Sequence, residues 1–196
     1  EINILNNCNI ECRGDVTLTG AGSNDNYVIQ IGEFNNAQES FIATNVTADN
    51  STNYFNISNQ NVQAGTLLRL TTTALWLDYP GRYYNQGEFV EIGERSGNIC
   101  YLKNKIIESY AGATIGKLAV VDTITVNIFG GKFKVVADTG AYQYALRLCQ
   151  LKDSTFNNVE ANIKVNGSIA ALLIQDCYGI NINKCNCYQY SNPTTG

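Results

Sequence analysis

A 196-residue chain without a single histidine must run any acid–base chemistry on carboxylates, lysine, arginine, tyrosine or cysteine. Ser-His-Asp and Cys-His sites are excluded on that ground. Glycoside hydrolysis remains open, because it needs two carboxyl groups on one face about 5 to 9.5 Å apart, one protonated and one ionised. Asp153 and Asp176 are the leading pair, with Asp138 and Glu160 as further members. The alternative is a solvated bend carrying an Asp122/Lys152 ion pair. Lyase chemistry would use calcium-binding acidic residues and a base such as Arg147, expected to project outward between Leu146 and Leu148, but no acidic cluster accompanies it. Trp76, Tyr79, Tyr83 and Tyr84 suit sugar binding, since a pyranose offers an apolar C–H face and these rings add a polar tip. They serve equally to pack one irregular segment.

Cys8, Cys12, Cys100, Cys149, Cys177, Cys185 and Cys187 are odd in number and show no CxxC spacing. With no histidine to complete a mixed zinc site, they read as reduced, buried small hydrophobes, and neither metal nor cofactor is expected.

Charged residues make up only 15% of the chain, against about 25% in an ordinary domain, while asparagine occurs 26 times. The polar surface is therefore built from amides more than from charges. A net charge of −4 and singly scattered Lys and Arg give no basic stripe, which argues against a nucleic-acid partner. No run approaches the ~20 apolar residues of a membrane span, and "EINILNNCNI" lacks the regions of a signal peptide. Because the chain starts at Glu and has no Met, a fragment or processed product is expected.

The elements that must position these residues are short. "TITVNIF", "KFKVV", "YQYALRL" and "FNISNQNV" alternate apolar and polar residues, Gly and Asn punctuate them, and no long 3.6-residue periodicity competes. The class is all-β. Val121-DT-Ile124-T-Val126-NI-Phe129, Leu151-KD-Ser154-T-Phe156-NN-Val159 and Cys177-YG-Ile180-N-Ile182-NK-Cys185 share apolar or small residues at offsets 0, 3, 5 and 8. Their starts lie 30 and 26 residues apart, a length that fits one turn of three strands and three bends. Stacked turns would form inward ladders Ile124/Ser154/Ile180, Val126/Phe156/Ile182 and Phe129/Val159/Cys185, and an Asn127/Asn157/Asn183 ladder at a bend. In that register Leu146 and Leu148 precede Leu151 as Leu172 and Ile174 precede Cys177, Asp122, Lys152 and Tyr178 stack, Gln150 stacks on Asp176, and Asp153 lies beside Gly179. The runner-up is a β-sandwich of hairpins, favoured by Glu88 to Gly93 and Ile99 to Leu102 around "ERSGN".

The stretches "AGTLLRLTTTALW", "YYNQGEFVEIGERSGNICYLKNKIIESYA" and "VDTITVNIFGGKF" resemble the tailspikes and pectate-lyase-like depolymerases of bacteriophages. Gly65, Tyr83, Tyr84, Gly87, Glu88, Gly97, Asn98, Leu102, Ser109 and Tyr110 match that family's spacing, whereas Thr66 stands where the family usually has Asp. The resemblance implies a right-handed single-stranded parallel β-helix over residues 1–196, a slice of a longer helix, with 76–98 as a protruding loop and hairpin. It further implies a homotrimeric virion component, assembled in the host cytoplasm and acting at the bacterial surface. Its expected partner is a capsular or O-antigen polysaccharide that it binds and depolymerises, by hydrolysis rather than lyase chemistry. A non-catalytic adhesin and a structural fibre segment are the alternatives.

Overall fold

The structure, a computed structural model, describes residues 2–13, 16–20, 27–32, 39–44, 47–79, 82–110, 117–135, 144–164 and 170–190. The chain divides into two compact units, Glu1–Phe34 with Thr123–Gly196, and Asn35–Asp122. In chain order the strands are β1 (Ile2–Ile4), β2 (Cys8–Glu11), β3 (Thr17–Gly20) and β4 (Tyr27–Ile31). The second unit follows with β5 (Glu39–Thr44), β6 (Tyr54–Asn56), β7 (Leu67–Tyr79), β8 (Arg82–Ser96), β9 (Ile99–Leu102) and β10 (Lys117–Val121). The first unit then resumes with β11 (Val126–Phe129), β12 (Lys132–Val135), β13 (Tyr144–Cys149), β14 (Thr155–Asn157), β15 (Glu160–Lys164), β16 (Ala170–Gln175), β17 (Asn181–Asn183) and β18 (Asn186–Tyr190). The fold is all-β, with no helix among the described residues.

The first unit is built from parallel strands. Its sheets run β1-β4-β13-β16, β2-β11-β14-β17 and β3-β12-β15-β18, and the chain visits them in the same order four times. Each pass drops one strand into each sheet, so that like stacks on like: Ile29 faces Ile2 and Leu146, and Ile128 faces Ile10 and Phe156. Period-two alternation sends Ile31, Leu148, Val126, Ile128, Phe156, Phe133 and Ala161 into one shared core. The fourth pass leaves Ile174 and Ile182 at 42% and 40% exposed.

The sequence register holds for one step of the stack and slips in another. Leu146 opposite Leu172, Leu148 opposite Ile174, Phe156 opposite Ile182, Asn157 opposite Asn183 and Lys152 opposite Tyr178 all stand as expected. The preceding step does not. Ile124 bridges Leu151, Asn127 faces Thr155 and Ile128 faces Phe156, so Val126 does not pair with Phe156. Phe129, expected inside, is 42% exposed, and Phe133 takes the interior. The cause is a one-residue surplus in the Leu151 segment at the bend before β14, together with a two-residue shift that preserves the alternation and so leaves the hydrophobic pattern unable to object. Where the surplus interrupts the ladder, the fully buried Ser154 hydroxyl accepts the Val126 amide at 2.9 Å. Asp122 is thereby out of register with Lys152, whose ammonium reaches Asp153 at 2.9 Å. Asn127 donates across the stack to Asn9 at 2.8 Å, the amide-to-amide bond expected of an asparagine ladder, with a different partner.

The second unit is antiparallel, a six-stranded sheet ordered β5-β10-β7-β8-β9-β6 around Val62, Leu68, Leu70, Val90, Ile92, Cys100 and Tyr110. The Ser96–Ile99 turn expected from "ERSGN" is present, with Gly97 at φ +60°. Single side chains fix its loops. The Arg95 guanidinium donates to the carbonyls of Gly97, Asn59, Val62 and Ile57. The Glu88 carboxylate accepts the amides of Ile107 and Glu108, at 3.0 and 3.1 Å. Burial, followed by the Glu88 charge, disfavours ionisation of the enclosed Tyr110. Family-matched Gly97, Glu88 and Tyr110 thus have architectural tasks.

All seven cysteines are unbridged. Cys100 and Cys149 are buried as small hydrophobes, and desolvation pushes the Cys149 thiol up to about 11, whereas Cys187 is exposed.

Candidate functional site

A polar groove of about 400 Å³ runs along the corner where the second sheet of the parallel unit turns into the third. Its walls come from consecutive passes: Thr17, then Gly131 and Lys132, then Asn158 and Glu160, then Lys184 and Asn186. The corner needs a left-handed residue in each of three passes, supplied by Gly130 (φ +77°), Asn158 (+57°) and Lys184 (+51°). Gly130 also has no room for a side chain, since a Cβ there would lie 2.9 Å from the Cys12 carbonyl oxygen. Stacking is continuous through the bend, with Gly130 N–H donating to Asn157 and Asn158 N–H donating to Asn183, both at 2.9 Å.

The groove's charges are arranged, not scattered. Lys132 Nζ lies 2.8 Å from Glu160 Oε1, and Asn162 Nδ2 donates to the same oxygen at 2.7 Å. These two donors, Lys132 first, hold the Glu160 carboxyl below its ordinary range. Among the described residues lining the groove there is one carboxylate, so the groove by itself lacks the acid and base of a glycosidase. It offers amides, a hydroxyl and ammonium groups, the complement of a hydroxyl-rich ligand.

The sequence-derived catalytic candidates sit elsewhere. Asp153 and Asp176 flank the bend between the first and second sheets, on adjacent passes, and both are left-handed, at φ +50° and +52°. Asp176 stacks on Gln150, which shares its conformation, and Asp153 stacks over Gly179, as the sequence register has it. They occupy rungs three residues apart, so their backbones are separated by at most about 11 Å along and across the stack. Asp153 is paired to Lys152, and Asp176 accepts a long contact from Gln175. Asp138 lies outside the described residues. Arg147 is on the outward-alternating rung with Gln30 and Leu173 but only 7% exposed, its guanidinium over the Tyr144 ring at 5.6 Å.

The backbones of Trp76, Tyr79, Tyr83 and Tyr84 belong to the β7–β8 ribbon, where Tyr83 faces Asp78 and Tyr84 faces Leu77. Their side chains lie outside what the structure describes. Sequence reasoning passed over Lys132, Asn158, Lys184 and Asn186. The available signal was the recurrence of Gly130-Gly131, Asn157-Asn158 and Asn183-Lys184, pairs containing turn-forming Gly or Asn, one per pass, which marks a repeated corner.

No protein-family model matches the sequence, and no curated protein matches it either. Solved structures are similar. The tailspike protein gp49 from Pseudomonas phage LKA1 aligns over 93% of this chain at 15% identity with a TM-score of 0.56. The Pseudomonas phage phi297 tailspike gp61 aligns over 96% at 10% identity with a TM-score of 0.55. The Acinetobacter baumannii bacteriophage AP22 tailspike gp54, solved in complex with A. baumannii capsular saccharide, aligns over 94% at 15% identity with a TM-score of 0.49. This chain spans 36%, 37% and 39% of the gp49, gp61 and gp54 chains. Its fold is similar to that of phage tailspikes, little more than a third of whose length it covers.

Proposed function

We propose that this chain is a segment of a phage tailspike that binds a bacterial capsular or O-antigen polysaccharide along its corner groove. The carrying observation is the groove itself: a volume of about 400 Å³ crossing successive passes, its polar lining Thr17, Lys132, Asn158, Glu160, Lys184 and Asn186. A polysaccharide presents a row of hydroxyls, and a corner that repeats one set of hydrogen-bonding positions per pass meets it with another row. In this reading the four passes are coils of a right-handed single-stranded parallel β-helix, the hand that connections between parallel strands take in nearly every case. The whole molecule would be a homotrimer of the virion tail, assembled in the host cytoplasm and acting at the bacterial surface. Trp76, Tyr79, Tyr83, Tyr84 and Arg147 are proposed as further glycan-contacting residues, separate from the groove.

A second reading adds cleavage. It is favoured by the placement of Asp153 and Asp176 at one bend on adjacent passes, and it requires their carboxyls to converge to the roughly 6.5 to 9.5 Å of an inverting pair. One experiment separates the readings: titration calorimetry against a panel of capsular and O-antigen polysaccharides, followed by mass spectrometry of the incubated polymers. Binding without fragments supports an adhesin. Water-added fragments that disappear in Asp153→Asn and Asp176→Asn support a hydrolase. Absence of binding across a panel that includes the host's own glycan overturns the proposal.

A further inference from the structure

The three stacked corner residues do not have equal reasons to be there. A left-handed bend is free for Gly130, tolerated by Asn158, and disfavoured for Lys184, whose Cβ crowds the following carbonyl and which has no short polar side chain to offset it. This chain has an obvious substitute to hand, since asparagine occurs 26 times and charged residues are only 15% of the total. At that one rung it nevertheless carries a lysine. Strain retained where a better backbone residue is abundant is a mark of use.

Its surroundings indicate the use. Lys132, the other groove cation, is engaged by Glu160. Lys184 is exposed, lines the same groove, and among the described residues has no carboxylate partner. Asn158 and Asn186 flank it with amide donors, so the open end of the groove presents an ammonium between neutral hydrogen-bonding groups. Such an arrangement fits one negative charge per few sugar residues, and it is wasted on a neutral glycan.

We infer that the groove selects an anionic polysaccharide and that Lys184 is the residue that reads the anion, a carboxylate or phosphate borne by one sugar of the repeat. The inference rests on the groove being the glycan site. Lys184→Asn tests it, because this substitution keeps the left-handed bend conformation while removing the charge. Expected is at least a tenfold loss of affinity for the acidic polymers that bind the unmodified chain, with a thermal midpoint equal to or above its own. The bound polymer is also presented after carbodiimide reduction of its carboxylates. Affinity lost on reduction identifies a carboxylate, and affinity retained by the reduced polymer but lost after phosphate removal identifies a phosphate; both support the inference. Binding confined to neutral glycans, or binding of acidic glycans indifferent to Lys184→Asn, overturns it while leaving the groove as a glycan site. No binding to any glycan overturns the groove reading and this inference with it.

Discussion

In the parallel unit Ile128 is held by rungs to Ile10 on one side and Phe156 on the other, and a similar two-sided relation holds for Leu146, between Ile29 and Leu172. In the antiparallel unit the Arg95 guanidinium gathers three carbonyls of the segment from Ile57 to Val62, which the Ile57 amide also ties to the Asn98 carbonyl, and the Glu88 carboxylate gathers the amides of Ile107 and Glu108. Stability is distributed in the first case and concentrated in the second. Distributed support tolerates variation at corners that do not touch the core, which is where a ligand-reading surface can change without unfolding the stack.

The contrast can be broken most directly by core deletion. Phe156→Ala removes a ring 2% exposed that faces Ile128 and Ile182, and should cost about 3–5 kcal/mol, read as a shift in the urea midpoint. Arg95→Ala leaves four carbonyls without their shared donor and should cost about 2–4 kcal/mol, with loss of amide protection beginning in Ile57–Val62. Arg95→Lys should recover little, because an ammonium cannot reproduce the planar fork. Equal loss of protection in β13 and β14 would show that the units do not divide stability as described. Glu88→Gln keeps the shape but gives up the charge-assisted bonds to the Ile107 and Glu108 amides, at about 1–2 kcal/mol.

What the sequence made legible follows the same division. Strand class and the stacking of Leu146 on Leu172 and Phe156 on Ile182 were readable because those two passes have equal bends, so one offset of 26 serves both. The step from Ile128 to Phe156 was not, since the bend at Lys152–Ser154 carries a residue that its neighbour lacks and alternation is blind to a shift of two. Asp153 and Asp176 stood out in the sequence as carboxylates on one edge; in space each also satisfies a left-handed bend, a task that asparagine and glycine share and that composition alone cannot separate from chemistry. The groove was missed because its members, Lys132, Asn158, Glu160 and Lys184, are polar residues with no motif in line and meet only when the passes stack.

The smallest effect is expected at the ion pair inside the groove. Lys132 and Asn162 depress the Glu160 pKa below its usual 4.5, so the ionised carboxylate is favoured by folding. A depressed carboxylate contributes stability that is fully present above the unfolded pKa and lost as pH falls through the folded value. Thermal midpoints of the unmodified chain and of Glu160→Gln should therefore differ at neutral pH, and the difference should shrink as pH falls through and below the ordinary carboxylate range. Because Lys132 and Glu160 are 42% and 29% exposed, solvent screening holds the difference to a few tenths of a kcal/mol. A pair this weak is of little use to the fold but holds the Lys132 ammonium in place along the groove wall. Glu160→Gln should accordingly change glycan affinity more than it changes the thermal midpoint, and the reverse ranking would assign the pair to the stack, not to the ligand.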